Sequence, residues 1–337
     1  MNPLAAIVVL VLMLFGPLLI HWIESNIEIY ILVMGVIATL LAGGFNHSLI
    51  EHALTEPILI TLAVIIAAIG FGYSRDYLDR IFALLRGRIS RPILASISIF
   101  VLAMASSVIT AIVAAIVLVE IVRLLHLEGA ALVRVTVAAC FAIGMGAAMT
   151  PIGEPLATLA ASALKLPFFG LFDLLAPWII PGALAASILA GIFARGDYLD
   201  ATAHAAVRES PLAALIQGLR VYGFIAGLVL VSYAYAPLAV EIVGRLSNDA
   251  LFWANTVSAA LDNATLVALE VHNMTPVRAR EAILALLVSG GMLIPGNIPN
   301  IISAVPLKIG SVAWARIGIP IGLVGLGIYF ALLKFAV

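Results

Sequence analysis

Residues 249–272 read DALFWANTVSAALDNATLVALEVH, and they place an aspartate and an asparagine, Asp262 and Asn263, in the middle of an apolar run. A charge at the centre of a bilayer costs at least about 2.5–3.5 kcal/mol on insertion scales. A carboxylate at such a position therefore either caps a helix end or binds a cation. The two roles are compatible, because a carboxylate that accepts from backbone N–H groups can also hold an ion.

The composition of the chain is that of a membrane protein. Of its 337 residues, 64% are hydrophobic and 10% are charged, too few charges to cover a water-soluble domain of this size. The net charge of −1 gives no basic field for nucleic acid. The N-terminal apolar run has no basic start and no cleavage motif, so we expect a retained helix. We predict an all-α polytopic membrane protein with crossings near residues 3–22, 27–43, 57–73, 129–149, 174–194, 219–243, 278–294 and 316–336.

Two further apolar regions do not fit the pattern of single crossings. Residues 92–125 are too long for one span and too short for two, and the polar cluster SSVIT at 106–110 interrupts them. Residues 249–272 are interrupted in the same way by LDNAT at 261–265. Two half-length helices that meet at a polar tip would explain each region. We therefore predict one re-entrant hairpin at 92–125 and another at 249–272.

Each predicted hairpin is followed by a helix with a Gly/Pro interruption, TPIGEP at 150–155 and IPGNIP at 294–299. Proline removes a backbone donor and clashes with the preceding turn, so both sequences predict unwound backbone. Unwound backbone at membrane depth is tolerated where it is buried in protein or lines a cavity. The predicted broken transmembrane helices span 129–166 and 278–309.

The two halves carry these signals in the same order, which indicates an internal repeat. The matched positions are Thr110 with Thr265, Ser107 with Asp262, Gly153-Glu154 with Gly296-Asn297, and Lys165 with Lys308. Three full crossings lie between the hairpins, and an odd number inverts the second copy relative to the first. Inverted repeats with broken helices are the sequence signature of a secondary-transporter site.

These signals divide the chain into four parts. They are scaffold helices with an amphipathic interfacial segment at 1–91, a first transport repeat at 92–194, a linker and scaffold helix at 195–245, and a second, inverted repeat at 246–337. The interfacial segment is LDRIFALLRGRI at 78–89, which is basic and amphipathic. If the arginine-rich loop 74–91 is cytoplasmic, more Lys and Arg lie inside than outside, and both termini are outside.

The two polar tips and the two breaks form the candidate site. Asp262 and Glu154 are the candidate titrating groups, because a carboxylate shielded from water can exchange a proton for a metal ion. The neutral oxygens around them suit a hard cation such as Na⁺, and the four segments contain no Arg or Lys for an anion. The predicted Na⁺ ligands are Asp262, Glu154, Asn263 and Asn297. The other predicted ion-binding residues are Thr265, Gly153, Ser106, Ser107, Thr110, Gly296 and Asn300.

Structural interpretations of the same carboxylates remain open. Asp262 alone would cap the second arm of its hairpin, and Glu154 would be a loop carboxylate near the surface. Glu120 and Glu270 lie toward the hairpin ends and are expected at the membrane interface.

The motifs LDNAT and PGNIPN, paired with SSVIT and PIGEP, resemble those of the ion transporter superfamily. That superfamily includes NhaD-type sodium/proton antiporters, arsenite permeases, and dicarboxylate and citrate carriers. The resemblance covers residues 90–337 and is strongest to the NhaD-type pattern and to a related uncharacterised group of cation transporters. It implies inverted repeats with re-entrant hairpins, ion binding at the hairpin tips, and a homodimer. The first tip lacks the Asn of the Ser-Asn-Thr motif of sodium-coupled dicarboxylate carriers, which disfavours a dicarboxylate.

We therefore expect a secondary transporter that exchanges Na⁺ or Li⁺ for H⁺ by alternating access, in a bacterial or archaeal cytoplasmic membrane. Its expected partners are membrane lipid, a small cation and the proton, with no nucleic acid and no cofactor. Na⁺-coupled uptake of a small anion or dicarboxylate is the alternative, and a passive channel is a further one. An enzyme is not expected, because the two carboxylates occupy non-equivalent positions and the sequence contains no HExxH, GxSxG or P-loop motif.

Overall fold

The computed structural model describes residues 2–20, 22–23, 26–86, 88–195, 211–243, 245–259, 263–271 and 274–335. Every regular element in these stretches is an α-helix or a short 3-10 helix. The helices are α1 (Pro3–Leu19), α2 (Ile27–Leu41), α3 (His47–Arg86), α4 (Arg91–Ile109), α5 (Ala111–Leu124), α6 (Gly129–Ala147), α7 (Pro155–Ala163), α8 (Gly170–Phe193), α9 (Pro211–Val243), α10 (Asn248–Ala254), α11 (Asn263–Glu270), α12 (Pro276–Gly290), α13 (Ile298–Ala304) and α14 (Ser311–Phe335). Two 3-10 helices lie at Asn255–Ala259 and Ile294–Gly296.

In the described stretches, six helices are long and apolar enough to cross a membrane. Five of them overlap predicted crossings, namely the apolar part of α3 (His47–Ile66), α6, α8, α14 and the Leu212–Leu238 part of α9. Helices α1 and α2 are shorter apolar helices. The prediction of an all-α polytopic membrane protein is therefore confirmed.

The sixth of these helices is α4, the first arm of the first predicted hairpin. It has 19 residues, and the second arm, α5, has 14. The prediction of two half-length arms is therefore wrong for α4, which is long enough to span. Residues 91–109 contain no glycine, and their one proline stands at the helix start, so nothing in the sequence ends α4 earlier.

The predicted interfacial segment is not a separate element. Helix α3 continues without interruption from His47 to Arg86, so the segment that begins at residue 78 is the end of α3. No proline lies between Pro57 and Gly87, and the helix has no strong signal to stop before Gly87. Whether this end of α3 lies at the membrane interface stays a prediction.

Helix α9 packs against α2 and α3 of the N-terminal scaffold. The backbones of α2 and α9 approach closely, because a Cβ atom on Gly227 would lie 2.6 Å from Leu32 N. A Cβ atom on Gly35 would lie 2.5 Å from Gly227 O. Paired small residues are the usual means of bringing membrane helices this close. The scaffold is thus formed by elements from two distant parts of the chain.

Helices α6 and α12 form the centre of the protein. Every residue of α6 from Val135 to Ala147 is buried, and so is every residue of α12 from Ala282 to Gly290. Both helices end at the positions where the sequence predicts a break. The candidate site therefore lies in the most buried part of the described chain.

Candidate functional site

The unwound segments after α6 and α12 have matching backbone hydrogen bonds at a spacing of 143 residues. Ala148 N donates to Met145 O at 3.2 Å, and Gly291 N donates to Val288 O at 3.3 Å. A further matching pair is Gly153 N to Thr150 O at 3.1 Å and Gly296 N to Leu293 O at 3.2 Å. The first break thus lies at 148–154 and the second at 291–297, over the Gly/Pro motifs of the sequence.

The short helices after the breaks also end in the same way. Lys165 and Lys308 have φ values of 54° and 53°, in the left-handed region. Leu166 N donates to Ala161 O at 2.9 Å, and Ile309 N donates to Ala304 O at 2.9 Å. Each end is a Schellman motif in which lysine occupies the position that glycine usually takes. This likeness supports an internal repeat, and the inversion of its second copy stays a prediction.

Gly153 and Gly296 are the positions at which each break packs back on the helix before it. A Cβ atom on Gly153 would overlap the carbonyl group of Ala147, with the carbonyl carbon 2.7 Å away. A Cβ atom on Gly296 would lie 2.5 Å from Gly290 O and 2.9 Å from Ala259 O. Side chains do not approach backbone oxygens this closely, so both breaks require glycine.

Glu154 and Asn297 directly precede α7 and α13. Both have extended backbone, with φ −158° and ψ 161° for Glu154 and φ −155° and ψ 148° for Asn297. Neither side chain caps its helix, and the two residues are only 5% and 4% exposed. This burial argues against the alternative in which Glu154 is a carboxylate of a surface loop.

The second break contacts the first half of the chain. A Cβ atom on Gly144 of α6 would lie 2.5 Å from Asn297 Nδ2, so the amide fills the space that Gly144 leaves. Cys140 of the same helix donates to Pro299 O at 3.5 Å. In addition, α5 packs against α13, and α11 packs against α7. The second arm of each predicted hairpin therefore contacts the short helix of the other half.

The tip of the first hairpin is bonded to the first break. Thr110 separates α4 from α5 with φ 76° and ψ 151°, a backbone region that is costly for a β-branched residue. Its hydroxyl accepts from Val113 N at 3.4 Å and so caps α5. Ala111 N donates to Gly153 O at 2.7 Å. The predicted tip residue and the predicted break glycine are thus neighbours.

Ser106 and Ser107 lie one turn before this tip. The Ser106 hydroxyl donates to Ala103 O at 2.6 Å and reaches Ile143 O at 3.2 Å. The Ser107 hydroxyl donates to Met104 O at 2.8 Å, and Ser107 O accepts from Thr150 Oγ1. A hydroxyl that donates its proton keeps the lone pairs of its oxygen as acceptors. Both serines therefore retain an oxygen that suits a cation.

Residues 260–262 of the second predicted hairpin lie outside the described residues, and with them the predicted carboxylate Asp262. The side chain of Thr265 lies outside them too. The described chain resumes at Asn263, which is 3% exposed and whose Nδ2 has no hydrogen-bond partner among the described residues. A Cβ atom on Gly290 would lie 3.1 Å from this nitrogen. Asn263 therefore lies beside the second break, and its role as a site residue stays a prediction.

The structure corrects the register in which the hairpins were matched. Ser106 Oγ reaches Ile143 O at 3.2 Å, and Ser258 Oγ donates to Leu286 O at 3.4 Å. The acceptors Ile143 and Leu286 are 143 residues apart, which is the spacing of the two breaks, so they are matching positions. Ser258 is therefore the counterpart of Ser106, and these two serines are 152 residues apart. The same spacing relates Ala111, the first residue of α5, and Asn263, the first described residue of α11. The pairing of Thr110 with Thr265 is therefore wrong by three residues.

Asn300 holds the second break in place. Its Nδ2 donates to Gly290 O at 2.8 Å and to Leu293 O at 2.8 Å. The side chain is fully buried, and its Oδ1 has no hydrogen-bond partner among the described residues. Asn300 thus fixes the backbone with its nitrogen and leaves an oxygen without a donor in the described part of the chain.

Sequence reasoning missed a buried polar cluster in the second half. Asn255 Nδ2 donates to Glu270 Oε2 at 2.9 Å, and Ser258 Oγ and Ser289 Oγ are 2.6 Å apart. Glu120, in the first half, is also buried and accepts from Arg123 Nη1 at 2.8 Å. Glu120 and Glu270 are 6% and 4% exposed, so both are buried within the protein, and their position at the membrane interface stays a prediction.

A cavity of about 400 Å³ leads to the second break from the end of α13. It is lined by Glu28, Arg220, Ile294 and Lys308, among others. Arg220 Nη1 lies 3.9 Å from Glu28 Oε1. The described residues contain no group of three or more His, Cys, Asp or Glu placed to hold a metal ion.

The chain matches the model of a protein family described as "Protein of unknown function (DUF1646)" over residues 4–336. Since this match covers nearly the whole chain, the chain belongs to that family. Among curated proteins, none matches it. Both predicted hairpins and both breaks lie within the matched residues.

Proposed function

We propose that the chain is a secondary transporter that exchanges Na⁺ or Li⁺ for H⁺ across the membrane by alternating access. The observation that carries this proposal is the equivalence of Glu154 and Asn297, a buried carboxylate and a buried amide at the same position of two matching breaks. The carboxylate can bind either a proton or a cation, and the amide supplies a neutral oxygen. One site with two competing occupants is what an exchanger needs.

The groups around this pair favour a cation. Ser106, Ser107 and Thr110 contribute hydroxyls near the first break, and Asn263 and Asn300 contribute amides near the second. Oxygens of carboxylates, amides and hydroxyls are the ligands of hard cations. We assign the Na⁺ ligands to Glu154, Asn297, Asn263 and Asp262.

The corrected register bears on the proposed role of Asp262. At a spacing of 152 residues, Asp262 corresponds to Thr110, the residue that caps α5. Asp262 also directly precedes Asn263, the first described residue of α11. We therefore propose that Asp262 both caps α11 and titrates with the bound ion, since the two roles are compatible.

The test is a flux measurement on the full chain in liposomes with a pH-sensitive dye inside. Na⁺, Li⁺, K⁺ or Ca²⁺ is added in turn while an ionophore holds the membrane potential at zero. We expect Na⁺ or Li⁺ to drive a proton flux in the wild type. The variants Glu154→Gln and Asp262→Asn should each lose the flux or shift its pH dependence, because each removes one titrating group.

A matched control separates the loss of a site carboxylate from the loss of any carboxylate. Glu241 is exposed and pairs with Arg245 at 3.0 Å, so Glu241→Gln should leave the flux unchanged. Absence of an ion-driven proton flux in the wild type would overturn the exchange proposal. Unchanged flux in both Glu154→Gln and Asp262→Asn would overturn the assignment of the site.

A second candidate function is Na⁺-coupled uptake of a small anion. The observation in its favour is the cavity at the second break, which two cationic side chains, Arg220 and Lys308, line. In that case anions would stimulate Na⁺ uptake without obligatory proton exchange, and Arg220→Gln would reduce the stimulation. Flux of Na⁺ against H⁺ in the absence of any organic anion would decide for the exchanger.

A further inference from the structure

A line of buried polar side chains runs along α12 toward the second break. Asn255 Nδ2 lies 3.4 Å from Ala282 O, at the middle of α12, and donates to Glu270 Oε2 at 2.9 Å. Further along, Ser289 Oγ donates to Asn255 O at 2.7 Å and meets Ser258 Oγ at 2.6 Å. With a rise of about 1.5 Å per residue, the line covers about 12 Å from Ala282 to Gly290. It ends where Asn263 lies beside the break.

Glu270 is the charged member of this line. It is 4% exposed, and its partner among the described residues is the neutral amide of Asn255. Glu120, the buried carboxylate of the first half, instead has Arg123 at 2.8 Å. A buried carboxylate without a cationic partner is costly unless a proton or a cation neutralises it. Glu270 therefore has the surroundings of a group that takes up a positive charge.

The elements that pack against α11 are α7, α9, α12 and the 3-10 helix Asn255–Ala259. Among the described residues, no ion pair joins their charged side chains to Glu270. On α9, Arg220 lies toward Glu28, and Glu241 pairs with Arg245. On α12, Arg278 donates to Leu246 O, Arg280 lies over the ring of Trp178, and Glu281 interacts with Lys334. Glu154 directly precedes α7. His272, a titratable residue two positions after Glu270, lies outside the described residues.

The first half of the chain reaches the same packing without these polar groups. At the spacings established above, Asn255 corresponds to Ala103, Glu270 to Leu118 and Ser289 to Gly146. Ala103 and Leu118 are fully buried, and a Cβ atom on Gly146 would overlap Ala103 O where Ser289 bonds to Asn255 O. The fold therefore does not require a carboxylate, an amide and a hydroxyl at these positions, and their presence in one half alone indicates a function.

We propose that Glu270 is a further carboxylate of the exchange route, besides Glu154 and Asp262, and that it binds the transported proton on the way between the middle of α12 and the second break. The inference rests on the exchange function proposed above. The proton neutralises the carboxylate while no cation is near. Its release to water restores a negative charge that draws a cation toward Asn263 and the second break. Asn255 is then a positioning residue, because it fixes the carboxylate by its amide.

The test has one readout that does not depend on transport. Infrared difference spectra of the full chain in lipid are recorded as the pH is changed. We expect a titrating carboxyl signal that is lost in Glu270→Gln and retained in Glu120→Gln and His272→Gln. Glutamine keeps an oxygen for the Asn255 amide, so the network is preserved while the titrating group is removed. A signal identical in Glu270→Gln and the wild type would overturn the proposal.

The second readout is Na⁺-driven proton flux in liposomes. We expect Glu270→Gln to lose most of this flux and Glu120→Gln to keep it, and full flux in Glu270→Gln would overturn the inference while leaving the exchange function intact. If the wild type shows no flux, the exchange function fails, and the infrared signal alone decides whether Glu270 carries a proton. Should Glu270→Gln not fold, the triple variant Asn255→Ala, Ser289→Gly, Glu270→Leu installs the residues of the first half. That variant should fold and lack the flux.

Discussion

Glu154 and Asn297 lie 143 residues apart at the same position of two matching breaks, each buried and each in extended backbone before a short helix. At this position the two halves are therefore alike in backbone and different in charge. Carboxylates at both positions would bury two negative charges, which is costly, and amides at both positions would bind no proton. In the exchange mechanism that we propose, this difference in charge would let a single site hold either a cation or a proton.

Asn297 and Asn300 should respond differently to truncation. Asn300→Ala removes two hydrogen bonds to Gly290 O and Leu293 O, so we expect a loss of about 1–3 kcal/mol in the free energy of unfolding. Asn297→Ala removes an amide that does not cap its helix, so we expect weaker Na⁺-driven flux with a smaller loss of stability. Thermal unfolding in detergent and flux in liposomes measure the two effects. Equal losses of stability in both variants would contradict the distinction.

Alanine at either break glycine should abolish transport. A Cβ atom at Gly153 or Gly296 would press against the carbonyl of the preceding helix, so Gly153→Ala and Gly296→Ala should displace the break and lower the melting temperature. Gly327 in α14 has no atom within 4 Å of an added Cβ, so Gly327→Ala is the matched control. We expect it to be neutral or to stabilise by up to about 1 kcal/mol, since alanine favours helix. Normal flux in Gly153→Ala would show that the break tolerates a side chain.

The breaks were predictable because their signals are local. Pro151, Pro155, Pro295 and Pro299 each restrict the backbone of their own neighbourhood, and Gly153 and Gly296 lie among them. These local restrictions end a helix at each motif, whatever the tertiary contacts are. The burial of Glu154 and Asn297 followed from the same reasoning, because unwound backbone in a membrane is placed inside the protein.

The hairpin register was not predictable in the same way. Both predicted hairpins are rich in small residues, so several alignments of one hairpin with the other match equally well. The pairing of Thr110 with Thr265 rested only on their identical residue type. The bonds of Ser106 and Ser258 to carbonyls of α6 and α12 set the true register, and those are tertiary contacts. The burial of Glu270 is also tertiary, because it depends on how α11 packs against α7, α9 and α12. The clue in the sequence was Asn255, a second amide in the same apolar run.

Thr110 should store strain that a glycine would release. Its φ of 76° and ψ of 151° belong to a region that glycine occupies freely and that costs other residues about 1–3 kcal/mol. Thr110→Gly removes this cost and retains a good helix cap, whereas Thr110→Ala keeps the cost and loses the cap. We expect the free energy of unfolding to rise by about 1 kcal/mol for glycine and to fall by about 1 kcal/mol for alanine. The opposite order in a denaturant titration would show that Thr110 is not strained.

Lys165 and Lys308 offer the same test at two matching positions. Both lie in the left-handed region at the end of a short helix, where glycine is the usual residue. We expect Lys165→Gly and Lys308→Gly each to raise the free energy of unfolding by about 1 kcal/mol, because a side chain in this region costs that much. Lys165→Ala and Lys308→Ala remove the charge and keep the backbone cost, so they should bring no gain. If alanine stabilises the protein as much as glycine does at either position, the gain comes from removing the lysine charge and not from relieving the backbone. That result would show that the left-handed backbone is not strained there.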